Sequence, residues 1–485
     1  ENYKLTMSQM TTFSNWIIRS GLSAKKHQQI GFKWAVAQES DAMMCGGIIA
    51  DEMGLGKTIL ALGLMTCNDE MRKRNLIVLP PALVDQWCGA IKKFCPELAQ
   101  HIHVWRGKKG TNDDAFLKVN QAENIVVVTT YGMIANRNIA NYCSDLWIME
   151  WDRIIYDEAH HLRNHKTNTF LGAKQLHSYQ TPDTSYWYMT GTPINNKITD
   201  VMNLFRLANV KCDSFEELKP LLVSKVLRRT KQSVGIKMPD CNIHNIDVES
   251  KSKNEEKFLK DVHAFLPFQG TITSDNVDQH ISYLSEHWMG FLTRSRQCCI
   301  YPKLVLNALE NKVKKGRVNN DFDLNLLKKV KTHSKMTAVV DKIKTNKNGK
   351  DKLVFCHFRG EMDFLEKELQ SDFTVAKFDG RLSMKERHVI LTECPPEVLL
   401  IQIQTGCEGL NLQQYSEVYF TSPHWNPAVE EQAIARAHRI GQKQNVDVYR
   451  FYSTISTSMN MTIDEYIKEV QSVKRDMAKC IKVNH

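Results

Sequence analysis

The sequence predicts an α/β protein in which two parallel sheets are joined by helical insertions. Short apolar runs alternate with amphipathic segments in two stretches of the chain, and this alternation is typical of a parallel sheet covered on both faces. Most of the runs are rich in β-branched or aromatic residues. They cover residues 48–50, 76–79, 125–128, 154–156 and 186–189 in the first stretch, and residues 353–355, 374–376, 398–401, 418–420 and 446–449 in the second.

The segment between the two stretches, residues 211–335, lacks the strand rhythm and carries helical patterns with basic clusters. Within it we expect loops at 268–278 and 311–323. A chain of 485 residues should hold about two to four domains. The expected organisation is an N-terminal extension, a first lobe, a helical connection with protrusions, and a second lobe with a C-terminal brace, at residues 1–23, 24–235, 236–335 and 336–485.

The hydrophobic and charged fractions are ordinary for a soluble globular protein. The net charge of +10 favours a polyanionic partner. No apolar run reaches the ~18 residues that a membrane-spanning helix needs, so we expect no membrane partner. The thirteen cysteines are scattered without a C-x-x-C pair, which predicts reduced thiols and no structural zinc.

Residues 46–58 (GGIIADEMGLGKT) have the order strand, glycine turn, Gly-Lys-Thr and helix start, which is the order of a phosphate-binding loop. The glycines, among them Gly54 and Gly56, let backbone N–H groups close on a polyphosphate, and the helix N-terminus adds partial positive charge. In this pattern Lys57 reaches the β and γ phosphates, and Thr58 binds Mg²⁺. The alternative is a plain glycine turn between a strand and a helix.

Two adjacent carboxylates, Asp157 and Glu158, follow the apolar run 154–156. Placed after a strand and about 100 residues beyond a phosphate loop, they suit a nucleotide site. Asp157 can hold Mg²⁺ directly or through water, and Glu158 can orient and deprotonate an attacking water. The alternative is an acidic helix start.

Residues 190–193 (TGTP) predict either a turn or a hydroxyl-bearing loop that links the hydrolysis site to a polymer groove.

Two arginines, Arg436 and Arg439, lie in the stretch QAIARAHRIGQ at residues 432–442. They are three positions apart, so on a helix they would share one face. Guanidinium groups so placed can stabilise charge on a γ-phosphate, which is worth ~10³–10⁵ in rate in well-studied phosphoryl-transfer enzymes. The alternative is a solvated basic helix face.

Taken in order, these blocks resemble the Swi/Snf-type ATPases of the superfamily-two helicase-like proteins, from His27 to about residue 467. The family's first motif includes Asp51, which stands where the generic phosphate-loop pattern has glycine. The matching blocks are GIIADEMGLGKT at 47–58, LPPALVDQW at 79–87, TTY at 129–131, DEAH at 157–160, TGTPINN at 190–196, LRRTK at 227–231 with Met-Pro at 238–239, RQCC at 296–299 with Pro302, GLNL at 409–412, WNPA at 425–428 and RAHRIGQ at 436–442.

The resemblance implies two recombinase-like (P-loop NTPase) lobes with ATP in the cleft between them and duplex DNA across both. It implies that Gln28 recognises adenine, that Gly409 and its neighbours form the second lobe's side of the cleft, and that Mg²⁺ is held by Thr58 and Asp157. The catalytic residues it implies are Lys57, Asp157, Glu158, Arg436 and Arg439. The ATP-binding residues it implies are Gln28, Asp51, Gly54, Gly56, Lys57, Thr58, Gly409 and Gln432. The residues it places near nucleic acid are Pro80, Gln86, Trp87, Thr129, Tyr131, Thr405, Gly406 and Trp425.

The sequence departs from the family's pattern in two blocks. Residues 402–408 read QIQTGCE, where the family commonly has KAGG or RAGG, and this bears on DNA contact more than on ATP hydrolysis. Ser422 replaces the aspartate that many relatives have before the WNP block. Cys298 and Cys299 resemble the subgroup that often carries an inserted zinc-binding RING module, but residues 240–335 lack zinc-ligand spacing, so we expect that module to be absent.

We therefore expect a DNA-dependent ATPase that translocates on double-stranded DNA and remodels or displaces bound protein, in chromatin remodelling, repair or transcription. We expect it to act as a monomeric motor or as a subunit of a larger complex. Two alternatives stay open, a strand-separating helicase on DNA or RNA and a nucleic-acid-binding scaffold with ATP as a structural ligand. Residues 311–352 are either a brake, a DNA contact or a solvated loop. The expected location is the nucleus, with a virion or a cytoplasmic viral replication site as the alternative.

Overall fold

The structure, a computed structural model, describes residues 7–68, 72–106, 118–136, 144–191, 198–264, 271–273, 276–277, 279–281, 283, 289–306, 324–406, 410–455 and 461–480. The chain divides into two compact units, and the division falls between Lys237 and Met238. Each unit contains one parallel β-sheet with helices around it. The predicted fold class is therefore confirmed.

The first unit is built on a seven-stranded parallel sheet. Its strands are β1 (Gly46–Ile49), β2 (Arg74–Leu79), β3 (Ile102–Val104), β4 (Ile125–Thr130), β5 (Arg153–Asp157), β6 (Ser185–Met189) and β7 (Val226–Leu227). In space they follow the order β3-β4-β2-β5-β6-β1-β7. All five apolar runs of the first stretch form strands. The two edge strands, β3 and β7, have three and two residues, so they are too short to stand out in the sequence.

The helices of the first unit cover both faces of its sheet, which explains why the strands read as continuous apolar runs. The helices are α1 (Met7–Arg19), α2 (Lys26–Gln38), α3 (Lys57–Cys67), α4 (Val84–Phe94), α5 (Pro96–Ala99), α6 (Tyr131–Ile134), α7 (Asp145–Ile148), α8 (Asn168–Ser178), α9 (Ile198–Leu207) and α10 (Phe215–Ser224), with 3₁₀ turns at Pro81–Leu83 and Ala159–Leu162.

The strand order of the first sheet determines where the site lies. Strand β6 pairs with β5 on one side and with β1 on the other. Because these strands are parallel, their carboxyl ends lie at one edge of the sheet, where open α/β sheets bind their ligands. The glycine loop follows β1. The Asp157–Glu158 pair lies at the end of β5, and the Thr190-Gly191 turn follows β6.

The second unit is built on a six-stranded parallel sheet. Its strands are β8 (Cys241–Glu249), β9 (Asp351–Cys356), β10 (Val375–Phe378), β11 (Val398–Gln402), β12 (Tyr415–Phe420) and β13 (Val446–Thr454). In space they follow the order β10-β11-β9-β12-β13-β8. All five apolar runs of the second stretch form strands.

The expectation that residues 211–335 contain no strand is wrong, because both β7 and β8 lie within them, and β8 is the longer of the two. It pairs with β13 along its whole length, from Cys241 beside Val446 to Glu249 beside Thr454. It lies at the edge of the sheet, and its side chains are exposed or half-exposed. Its sequence CNIHNIDVE therefore mixes polar and apolar residues and contains no apolar run.

The helices of the second unit divide between those that pack on its sheet and those that form a separate apolar cluster. They are α11 (Lys253–Ala264), α12 (Met289–Ile300), α13 (Leu324–Lys329), α14 (Ser334–Thr345), α15 (Arg359–Leu369), α16 (Met384–His388), α17 (Ile403–Gly406), α18 (Pro427–Ala437) and α19 (Ile463–Cys480), with a π-helical turn at Val389–Glu393.

The C-terminal helix α19 packs its apolar face, including Ile463, Tyr466 and Ile467, into the cluster formed with α11 and α12. Cys298 and Cys299 are buried members of the same cluster. The loops expected at 268–278 and 311–323 fall largely outside the described residues. Among the helices that the structure describes, none is long and apolar enough to cross a membrane.

Candidate nucleotide-binding site

The glycine loop between β1 and α3 adopts a backbone that only glycine adopts easily. Gly54 and Gly56 have φ angles of +90° and +89°, in the left-handed region. A Cβ atom at Gly56 would lie 2.5 Å from Nε2 of Gln28. The lack of a side chain at Gly56 makes room for the buried Gln28 amide, which lies directly against the loop. The loop thus brings the residue predicted to recognise adenine beside the predicted phosphate site.

Lys57 and Thr58 occupy the first turn of α3. Nζ of Lys57 donates a hydrogen bond of 2.7 Å to the carbonyl oxygen of Asp51. The same Nζ lies 3.7 Å from the position that a Cβ would take at Gly191, at the end of β6. No side chain caps the start of α3, so an anion can take that place. The Lys57 ammonium thus lies between two of the three converging segments.

Asp157 is the last residue of β5, and its buried carboxylate has two donors. The indole N–H of Trp87 donates to Oδ2 over 2.7 Å, and the backbone N–H of Glu158 donates to Oδ1 over 2.9 Å. Burial, together with the negative charge of Glu158, raises the pKa of Asp157 to about 6. A carboxylate in these surroundings gains from a nearby cation, which favours its ionised form.

Glu158 has a left-handed backbone, with φ of 52° and ψ of 50°. For a residue with a side chain this conformation costs roughly 1–2 kcal/mol. Its Oε2 lies 3.3 Å from Nδ1 of His160. Strained residues of this kind occur preferentially at functional sites.

The residues predicted to lie near nucleic acid in the first unit divide into two groups. Gln86 is exposed on α4 and is accessible to a partner. The side chains of Pro80, Trp87, Thr129 and Tyr131 are buried, and the expectation that these blocks lie near nucleic acid stays a prediction.

Three of these buried residues form hydrogen bonds to Asp157 or to the backbone beside the sheet. The Trp87 indole binds the Asp157 carboxylate, and the Tyr131 hydroxyl donates to the Asp157 carbonyl oxygen over 2.7 Å. The Thr129 hydroxyl donates to the carbonyl oxygen of Trp105 over 3.2 Å. The sequence motifs do not tell which face of α4 or α6 points inward.

Asp51 pairs with Arg229, and its predicted part in nucleotide binding stays a prediction. Its carboxylate is buried and accepts three hydrogen bonds from Arg229, in the segment that follows β7. The side chain therefore holds the loop from behind, and its carbonyl oxygen meets Lys57. The sequence carried a signal for this pairing, since a carboxylate that replaces a loop glycine must find a cation when buried.

In the second unit, Gln432 and Arg436 lie four positions apart on α18, and both are buried. The carbonyl oxygen of Arg436 accepts a hydrogen bond of 3.1 Å from the N–H of Leu412, which joins two of the predicted blocks. The expectation that Arg436 and Arg439 share one helix face is wrong, because α18 ends at Ala437 and Arg439 lies beyond it.

The reason for this early end lies in the turn that follows α18. His438 Nε2 lies 2.7 Å from the carbonyl oxygen of Pro239, and Gly441 has a φ of +104°. The side chain of Gln442 donates to the carbonyl oxygens of Gln413 and Ala437 over 2.8 and 3.1 Å. These contacts stabilise a turn in place of a further helical turn.

Of the remaining predicted residues of the second unit, three lie in the described part of the chain and one does not. Trp425 is half-buried and packs edge-on against Tyr466, with ring centroids 6.2 Å apart. Thr405 and Gly406 form the end of the short helix α17, directly after β11. Gly409 lies outside the described residues.

The first unit's group of residues fits MgATP. The Thr58 hydroxyl and the Asp157 carboxylate are the oxygen donors that Mg²⁺ prefers. The Lys57 ammonium, the left-handed glycines of the loop and the uncapped start of α3 suit a polyphosphate. In the part of the chain that the structure describes, no group of three or more His, Cys, Asp or Glu side chains could hold a metal ion by itself.

Comparison with known families finds two matches. Residues 27–216 match the SNF2-related domain, and residues 334–441 match the helicase conserved C-terminal domain. The helicase domain of Hef from Pyrococcus furiosus has the same fold, with a TM-score of 0.53 and 18% identity over 92% of this chain and 97% of that one.

Relatives are found in plants and viruses. The DNA repair protein RAD5B of Arabidopsis thaliana is 24% identical over 90% of this chain, and the match spans 45% of the plant protein. A probable global transactivator of Orgyia pseudotsugata multicapsid polyhedrosis virus is 26% identical over 93% of this chain and 89% of the viral protein. The chain combines an SNF2-related domain with a helicase conserved C-terminal domain, and it belongs to the SNF2-type family of helicase-like ATPases.

Proposed function

We propose that this chain is a DNA-dependent ATPase that translocates on double-stranded DNA and so remodels or displaces DNA-bound protein. The observation that carries the proposal is the convergence of Lys57, Asp157 and Glu158 at one edge of the first sheet. A glycine loop, an ammonium group and two carboxylates are the groups needed to bind a nucleoside triphosphate and to activate water.

Each residue has a distinct part in the proposed hydrolysis. The Lys57 ammonium binds the β and γ phosphates, and Glu158 orients the attacking water and accepts its proton. Thr58 and Asp157 would hold Mg²⁺, which supplies charge neutralisation at the phosphate oxygens. Arg436 and Arg439 are proposed to stabilise the γ-phosphate charge, and this role stays a prediction.

The proposal that DNA is the partner is supported by the family and by charge. The net charge of +10 favours a polyanion, and binding to the phosphate backbone suits a motor that moves along DNA without reading its sequence. The plant relative is named a DNA repair protein and the viral one a transactivator, which supports a role in repair or in transcription. We propose a nuclear location or, for a viral chain, a viral replication site.

The test is ATP turnover with no nucleic acid, with single-stranded DNA, with duplex DNA and with RNA. The variant is Glu158→Gln, which removes the proposed base. The matched control is Glu150→Gln, which changes an exposed carboxylate near the opposite end of β5. We expect duplex DNA to stimulate turnover strongly in the wild type and in the control. Removal of a general base costs typically 10²–10⁴-fold, so Glu158→Gln should show almost no turnover.

Displacement of a triplex-forming strand from a duplex then tests translocation. Turnover stimulated mainly by single strands or RNA, together with duplex unwinding, would indicate a strand-separating helicase instead. ATP binding without turnover under any condition would indicate a scaffold.

A further inference from the structure

We propose that Arg229 is a positioning residue that holds the glycine loop and the first turn of α2 in one fixed arrangement, and that it thereby sets nucleotide affinity and base preference. This inference rests on the proposed function, because it concerns the same ATP site. Arg229 belongs to the segment that follows β7. It is the third residue of the LRRTK block at residues 227–231.

One end of the Arg229 contact is the glycine loop. The backbone N–H and Nε of Arg229 each donate to Oδ1 of Asp51 over 3.0 Å, and Nη2 donates to Oδ2. Asp51 is 1% exposed and Arg229 is 6% exposed. A buried bidentate pair of this kind is strong and directional, because the planar guanidinium matches the carboxylate.

The other end of the contact is the start of α2. Nη1 of Arg229 donates to the carbonyl oxygen of His27. A Cβ at Gly31, one turn along the same helix, would lie 2.9 Å from Nη2 of Arg229. The helix therefore accommodates the guanidinium through a residue without a side chain, and Arg229 bridges the loop and the helix.

A further contact joins α2 directly to the glycine loop. Nε2 of His27 lies 3.1 Å from the carbonyl oxygen of Leu55, in the glycine loop. The loop is thus joined to α2 directly through His27 and indirectly through Arg229. Gln28, the next residue on α2, lies against Gly56. Any change in the angle between α2 and the loop moves the Gln28 amide relative to the phosphate site.

The segment around Arg229 is itself held firmly. The N–H groups of Ala50 and Glu52 donate to the carbonyl oxygens of Leu227 and Arg229 over 2.7 and 2.9 Å. The N–H of Lys231 donates to Glu52 over 2.7 Å. The segment around Arg229 is therefore hydrogen-bonded to Ala50 and Glu52 at the start of the loop, which gives it the rigidity that a positioning residue needs.

The test compares two variants. Arg229→Lys keeps the positive charge and loses the planar guanidinium, and Asp51→Asn removes the negative charge of the carboxylate that Arg229 binds. Arg206→Lys is the matched control, because Arg206 pairs with Asp213 at the surface of the same unit over 3.1 Å. The measurements are the Kd of a fluorescent ADP analogue, the KM and kcat for ATP and for GTP, and the thermal unfolding midpoint without nucleotide.

We expect the Kd for the ADP analogue and the KM for ATP to rise on the order of tenfold in both site variants, as misplaced binding groups lose their preorganisation. The preference for ATP over GTP should fall by a similar factor, and kcat at saturation should change less. The double variant should lose no more affinity than either single one, because both act through one contact. The surface control should match the wild type.

Unchanged affinity and base preference in a folded Arg229→Lys or Asp51→Asn protein would overturn the proposal, and so would a lower unfolding midpoint without a change in Kd. If one variant does not fold, the other carries the test alone. These outcomes differ from failure of the proposed function, in which the wild-type protein would itself neither bind the ADP analogue nor hydrolyse ATP.

Discussion

Replacement of Trp87 by phenylalanine tests how the carboxylate of Asp157 is kept ionised. The indole N–H lies 2.7 Å from Oδ2, and Trp87 is 1% exposed, so no water can replace the lost donor easily. A hydrogen bond to a charged group is worth about 1.5–3 kcal/mol, and one pKa unit corresponds to about 1.4 kcal/mol. The bond favours the ionised form, so its loss should raise the pKa of Asp157 by about one to two units from its value of about 6.

The consequence at neutral pH is large. At pH 7 the ionised fraction of Asp157 should fall from about nine-tenths to between about a half and a tenth. Protons then compete with Mg²⁺, so the Mg²⁺ concentration for half-maximal turnover should rise by about twofold to tenfold. The acid limb of the kcat/KM profile for ATP hydrolysis should move upward by about one to two pH units. Turnover of the variant should recover at pH 9.

Trp151→Phe is the control for this experiment. The Trp151 indole is also buried and donates to a backbone carbonyl, that of Leu146, over 3.0 Å. Both variants should lose similar amounts of stability, but only Trp87→Phe should change the pH profile. The reasoning is refuted if the two profiles coincide, or if the Trp87 variant stays inactive at pH 9, which would mean that the indole fixes geometry rather than charge.

Three further predictions concern the first unit. Gly172→Ala would place a Cβ 1.9 Å from the carbonyl oxygen of Ile134, so urea unfolding should show a loss of about 1–3 kcal/mol or more, and an unchanged midpoint would contradict the packing of α8 on α6. Burial lowers the pKa of His177 from 6.5 to about 3, so the unfolded chain takes up the proton first as the pH falls. Stability should therefore drop by about 1.4 kcal/mol between pH 7.5 and 5.5, and His177→Gln should show a smaller drop. Glu39→Gln leaves the buried Arg153 guanidinium without its charge partner and should cost about 3–5 kcal/mol, whereas adding Arg153→Met should restore part of the loss in the same unfolding assay.

The sequence was sufficient to predict the buried strands and the glycine loop. Central strands such as β4 are covered on both faces, so burial alone requires an apolar run. The loop needs glycine at Gly54 and Gly56, where φ is positive, and this requirement leaves a readable pattern. Strand β8 was missed because an edge strand with exposed side chains has no such requirement.

The orientation of side chains could not be predicted in the same way. Whether the Trp87 indole faces a partner or Asp157 depends on how α4 is rotated on the sheet. The neighbouring residues in the sequence do not determine that rotation. The end of α18 depends on distant contacts, such as that between His438 and Pro239. Arg229 and Asp51 are 178 positions apart, so only the folded chain brings them together.

The parallel pairing of β8 with β13 has a consequence for the order in which the protein is made. The paired residues lie 205 positions apart, as for Asn242 and Asp447, so closing this loop costs roughly 5 kcal/mol of chain entropy. At a synthesis rate of about 5–20 residues per second, β8 leaves the ribosome about 10–40 s before its partner. The first sheet, in contrast, is complete in sequence once β7 is made, and it can fold while the rest is translated. During that interval the exposed backbone of β8 is open to other strands, so prompt completion of the C-terminal third is what protects the nascent chain from aggregation.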